Sequence, residues 1–120
     1  MVHAALTEDL SSEPHSTRAL LRHSDEAGVR VLVHLSSIAI YGCPPAGVVA
    51  EDPTPISTSD AYSRTKLAIE QTLEAQTGTT HVVILRLGCV YGPGGGWWTD
   101  GLLSQMRRGK VILINNGAGI

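Results

Sequence analysis

The chain has 120 residues, an apolar share of 42% with no Phe, and a formal net charge of −2; this is one domain or part of one, long enough for a modest core. That composition excludes an intrinsically disordered chain, and the charge balance offers no electrostatic reason for a nucleic-acid or anionic-membrane partner. No run approaches the ~20 apolar residues of a membrane span, and Met1-Val2-His3-Ala4-Ala5-Leu6 lacks the basic n-region of a signal peptide. Cys43 and Cys89 form no C-x-x-C pair and suit a reducing compartment. A soluble, cytoplasmic protein is expected. The five His residues show no metal-ligand spacing, so no metal site is expected, and His34 reads as a satisfied core histidine.

In chain order, Val2 to Leu6 is a short apolar run that suits a buried strand. Glu13 to Ala27 reads as a helix stopped by Gly28, and Val29 to Leu35 as a strand covered on both faces. Ser36 to Thr58 is a long connection rich in Gly and Pro, a kind of loop that is usually functional. Ser59 or Asp60 can cap the next helix, which runs to about Gln76 and is ended by Gly78. His81 to Leu87 is a second strong strand. Gly92-Pro93-Gly94-Gly95-Gly96 is an irregular loop, Trp98 to Arg108 a helix, Val111 to Ile114 a last strand, and Asn115 to Gly119 a turn. Trp97 and Trp98 fit a substrate pocket or core packing equally well, and Arg107-Arg108-Gly109-Lys110 the solvated end of a helix. Strands alternating with helices indicate βαβ units and a parallel sheet. Strands at both ends, with no capping edge, look like a piece of something larger whose exposed edges would favour association.

Within Asp60-Ala61-Tyr62-Ser63-Arg64-Thr65-Lys66, Tyr62 and Lys66 sit four apart at the start of a helix. Positions i and i+4 share a face about 6 Å apart. An ammonium beside a phenol favours the phenolate, the form an acid/base catalyst must reach. A bare Tyr-x-x-x-Lys is common by chance; its context carries the weight. Ser36-Ser37-Ile38-Ala39-Ile40-Tyr41-Gly42 follows one strand, and Arg86-Leu87-Gly88-Cys89-Val90-Tyr91-Gly92-Pro93 ends the next. These pieces fall at the carboxyl ends of strands, where open α/β sheets bind ligands.

The set resembles the extended short-chain dehydrogenase/reductases, the NAD-dependent epimerase/dehydratase group, over nearly all 120 residues. Val2-His3-Ala4-Ala5 looks like that family's fourth strand, Thr17 to Leu21 its following helix, and Ser37 its catalytic Ser/Thr. Glu51-Asp52 and Pro55, then Tyr62, Lys66 and Glu70, fit its approach to the active-site helix; Arg86 and Val90 to Pro93 fit the strand flanking the nicotinamide. The resemblance implies a partial Rossmann-like, doubly wound parallel sheet lacking the first three strands, the whole chain being the central part of an NAD(P)-binding domain truncated at both ends. It also implies a catalytic Ser37, Tyr62 and Lys66, and NAD or NADP contacts at Ala5, Ser37, Tyr62, Lys66 and Leu87. Tyr62 would be the acid/base, Lys66 would hold the nicotinamide ribose, and Ser37 would share the substrate oxygen. The implied substrate is a small molecule, a sugar or nucleotide sugar, and the parent enzyme a homodimer.

Departures shape that expectation. The sequence contains no G-x-x-G-x-x-G turn, so no helix N-terminus of that kind holds a pyrophosphate. Glu13 stands where the family often has Asn, and Cys89 where sugar-nucleotide epimerases commonly have Asn. Ile38 and Ala39 occupy the places of the dehydratase Asp-Glu pair and cannot transfer protons, which disfavours dehydration. Two alternatives stand beside the epimerase: a reductase of a small oxo or hydroxy compound of flavonol or sterol type, and a catalytically dead fragment.

Overall fold

The β-branched run after Gly28 becomes the middle strand of a three-stranded parallel sheet. In the computed structural model, which describes residues 1–4, 9–42, 50–51, 60–110 and 114–117, β1 (Val2–His3), β2 (Val31–Ser37) and β3 (His81–Leu87) lie side by side in that order. Val2 pairs with Val33, and the β2–β3 register runs from Val31 opposite His81 to Ser37 opposite Leu87. Helix α1 (Glu13–Glu26) lies between β1 and β2 in sequence, and α2 (Ala61–Glu74) between β2 and β3. Parallel neighbours joined through helices are the βαβ arrangement the alternation predicts. The chain divides into two compact units, 1–88 and 89–120.

Local chemistry sets the helix limits of the first unit. A 3₁₀ turn, Leu10–Ser12, leads into α1 with the Asp9 carboxylate accepting from Ser11 N at 3.1 Å, and Pro14 sits in the first turn, where a missing N–H costs least. Gly28, at φ +67°, ends α1 in a conformation that side chains other than glycine resist. Asp60 caps α2 by accepting from Ser63 N at 2.8 Å. Leu21 of α1, Leu32 of β2, and Ile69 and Leu73 of α2 form the core, with Leu20, Val82 and Ile84 packed against it. Each such side chain contributes about 1.5–3 kcal/mol on burial. Asp25 adds a polar tie, accepting from Thr80 N at 2.7 Å just ahead of β3.

Several expectations change. The apolar run of β2 suggests cover on both faces, yet only alternate residues are buried: Leu32, His34 and Ser36 are, whereas Val31 is 42% exposed and Leu85 on β3 43%. The core residues of both helices meet the Leu32 face, so the opposite face takes no share in that core. The strand begins at Val31 because Val29 N closes the helix end on Ser24 O at 2.9 Å. It runs on through Ser36 and Ser37, which do not open the loop, and a 3₁₀ turn, Ile38–Tyr41, follows.

His34 is fully buried but only half satisfied. Its Nδ1 lies 3.1 Å from His3 Nδ1, while Nε2 finds no partner among the described residues. Desolvation lowers its pKa to about 4, with the charge of Lys66 next.

In the second unit, the expected helix is a π turn, Gly96–Gly101, running into α3 (Leu102–Arg107). Trp97 is 91% and Trp98 58% exposed, which removes the core-packing reading for the described residues. Of the expected last strand, residues 111–113 lie outside the described residues, and Ile114 opens a 3₁₀ turn, Ile114–Gly117, that replaces its end. Cys43 and the strand continuation at Ala5 and Leu6 also lie outside them.

Candidate functional site

Because Asp60 caps α2, Tyr62, Lys66 and Glu70 fall four apart on one stripe of the helix. The stripe descends from solvent into the core: Tyr62 is 38% exposed, Lys66 5% and Glu70 1%. Lys66 Nζ donates to the Leu35 carbonyl at 3.0 Å and lies 5.9 Å from the centroid of the Tyr62 ring. Burial pulls the Lys66 pKa down, and the carboxylates of Glu13 and Glu70 oppose it.

Ser37 closes β2 two residues beyond the carbonyl that Lys66 holds. Its Oγ accepts from Ala39 N at 3.2 Å, capping the 3₁₀ turn and leaving the hydroxyl proton free to donate. Leu87 ends β3 as the register partner of Ser37. The structure thus joins Tyr62 to Lys66, and Lys66 to the β2 backbone beside Ser37; no hydrogen bond links Ser37 to Tyr62 among the described residues. Ala5, the remaining candidate, lies outside the described residues.

Sequence reasoning placed Glu70 and Arg86 near the site without pairing them. Arg86, on β3, donates from Nη2 to Glu70 Oε2 at 2.8 Å and from Nε to both carboxylate oxygens at 3.2 and 3.3 Å. Its Nη1 donates to the Tyr41 hydroxyl at 2.6 Å and to the Glu51 carbonyl. The Ser36 hydroxyl donates to Glu70 Oε1. Bonding to Glu70 first, and then to Tyr41, holds the Arg86 guanidinium charge even more firmly than usual. The available signal was an arginine in an otherwise apolar strand and a carboxylate on the buried stripe of α2. A cleft of about 520 Å³ opens beside Arg86, bordered by Ile38, Tyr41, Glu51 and Leu87; Tyr62 and Lys66 do not line it.

The donors here are the remaining N–H bonds of Lys66 and the hydroxyls of Ser37, at the end of β2, and of Tyr62, in the first turn of α2. Groups of these kinds can hydrogen-bond a vicinal diol and a carbonyl or carbinol oxygen. No curated protein matches the chain. The sequence model of the NAD dependent epimerase/dehydratase family matches residues 5–119. Among solved structures, the chain is similar to the UDP-glucuronic acid 4-epimerase from Bacillus cereus in complex with NAD, at 26% identity and a TM-score of 0.71. The match covers 91% of this chain and 39% of that one, so this chain spans well under half of that structure.

Proposed function

The chain belongs to the NAD dependent epimerase/dehydratase family, and on that premise we propose that residues 1–120 are the central part of an NAD(P)-binding domain acting at a hydroxyl-bearing carbon of a nucleotide sugar. The observation that carries the reading is the Tyr62–Lys66 stripe, anchored by Lys66 on the Leu35 carbonyl two residues before Ser37. Bound NAD would supply the acceptor and donor of hydride. Tyr62 would take the proton of the sugar hydroxyl during oxidation at its carbon and give it back to the same oxygen on reduction; reduction on the opposite face would invert the centre. Ser37 donates to the same oxygen and fixes it within reach of Tyr62. Lys66, whose Nζ lies 5.9 Å from the centroid of the Tyr62 ring, binds the ribose diol. Leu87 supplies an apolar contact next to Ser37.

The UDP-sugar enzyme that the chain resembles, solved with NAD, supports epimerisation and NAD rather than NADP. Ile38 and Ala39 beside Ser37 offer no proton-transfer group for eliminating water. Cys89 in place of a substrate-contacting Asn supports a second reading, a reductase of a small oxo or hydroxy compound.

Titrating the chain with NADH and NADPH, followed by the fluorescence of Trp97 and Trp98, tests the cofactor half of the proposal. Saturable quenching at micromolar NADH means that the part of the site on this chain suffices to hold the cofactor. With UDP-sugars and NAD, Tyr62→Phe is expected to abolish turnover, a loss of at least about a hundredfold, while NADH still binds. A folded wild-type chain that binds neither cofactor refutes the proposal for this polypeptide. An active Phe variant refutes the role of Tyr62.

A further inference from the structure

Three elements meet at the Glu70 carboxylate. It lies on α2, one turn beyond Lys66; it accepts from Ser36, whose neighbour is Ser37; and it accepts from Arg86, whose neighbour is Leu87. Arg86 extends the contact through Nη1 to Tyr41, in the turn that Ser37 caps, and to Glu51. The Arg86 guanidinium also lies 5.1 Å from the Tyr41 ring centroid. A buried ion pair is a poor source of net stability, because desolvation offsets much of the attraction. A planar guanidinium gripping a carboxylate through several bonds does fix distance and angle, which a greasy contact does not.

The geometry points to Glu70 and Arg86 as positioning residues whose ion pair sets the depth of α2 against the ends of β2 and β3, and so keeps Lys66 under Tyr62 and level with Ser37. Its consequence for turnover rests on the Ser37–Tyr62–Lys66 reading above; the positioning itself does not. One turn separates Glu70 from Lys66, so the pair also shapes the field at the Lys66 ammonium. The other titratable groups facing it are Tyr62 of α2 itself, Glu13 of α1, His34 of β2 and His3 of β1.

Lysine NMR of the full chain tests this without turnover, since Lys66 and Lys110 are the only two lysines and Lys110 is exposed. In wild type, burial holds the Lys66 midpoint below the ordinary lysine value. Charge alone would lower it further in Glu70→Gln, which removes the anion, and raise it in Arg86→Gln, which frees the anion. Loss of the depth that the pair sets would instead let solvent reach the Lys66 ammonium and raise its midpoint in both variants. A rise in both, with the far-UV spectrum and the Lys110 signal unchanged, supports the inference; opposite displacements, or none, overturn it. If Glu70→Gln does not fold, Arg86→Lys decides, since it keeps the charge and loses the planar fork: a rise supports the inference and an unmoved midpoint overturns it. Failure of every variant to fold would reduce the pair to a requirement of folding and overturn the inference. A wild-type chain without turnover refutes the proposed function and leaves this test standing.

Discussion

The two faces of the sheet share a strand sequence and differ in everything else. On one face, Leu32, His34 and Ser36 of β2 are buried, and the row continues into Glu70 and Arg86. On the other, Val31, Val33 and Leu35 alternate with them in the same heptapeptide, yet Val31 and its row-mate Leu85 stay more than 40% exposed. Side-chain alternation makes the two rows; the helices choose between them. Only the chosen row can hold a buried charge network, because only there does low dielectric strengthen the bonds that Arg86 makes with Glu70.

Truncating one leucine on each face is the sharpest way to break this comparison. Leu32→Ala, in the core, should cost about 2–5 kcal/mol from lost burial and the cavity left, read as a shift of the urea midpoint. Leu85→Ala should cost less than about 1 kcal/mol; equal losses would mean that the open face is covered in solution. Next in size is acid. His34 is neutral and buried in the folded state, with its pKa at about 4, whereas the unfolded imidazole takes up a proton near its ordinary value of about 6.5. The unfolded state therefore binds more protons between these values, and stability should be full above pH 6.5 and fall by roughly 3 kcal/mol as the pH drops to 4. His3, also lowered by burial, adds to the same loss. A His34→Gln chain that keeps the same acid sensitivity would sink that assignment. The smallest effect belongs to the open row: Val31→Thr should change stability by within about 0.5 kcal/mol.

Much of the scaffold is legible from local signals. His81–Leu87 is a strand with the boundaries its β-branched run predicts, Asp60 caps α2, and Gly28 closes the end of α1 with a positive φ. The i, i+4 spacing of Tyr62 and Lys66 put them on one stripe as expected, since helix geometry alone requires it. Three features were hidden. The one-sided core escapes a reading of β2 because an apolar run looks the same whether one face or two are covered. The His3–His34 contact joins residues from two strands and needs their register. The Glu70–Arg86 pair needs α2 laid across the ends of β2 and β3, a contact no spacing rule contains.

The sequence by itself determined the alternation of strands and helices, the caps, and the placing of Tyr62 and Lys66 on one helical stripe, because each follows from backbone geometry within a few residues. Tertiary structure alone decided which face of the sheet was buried, which histidine lost its solvent, and which carboxylate met Arg86. Those outcomes depend on elements far apart in the chain being brought into one low-dielectric layer, where desolvation and pairing, rather than local propensity, set the energies.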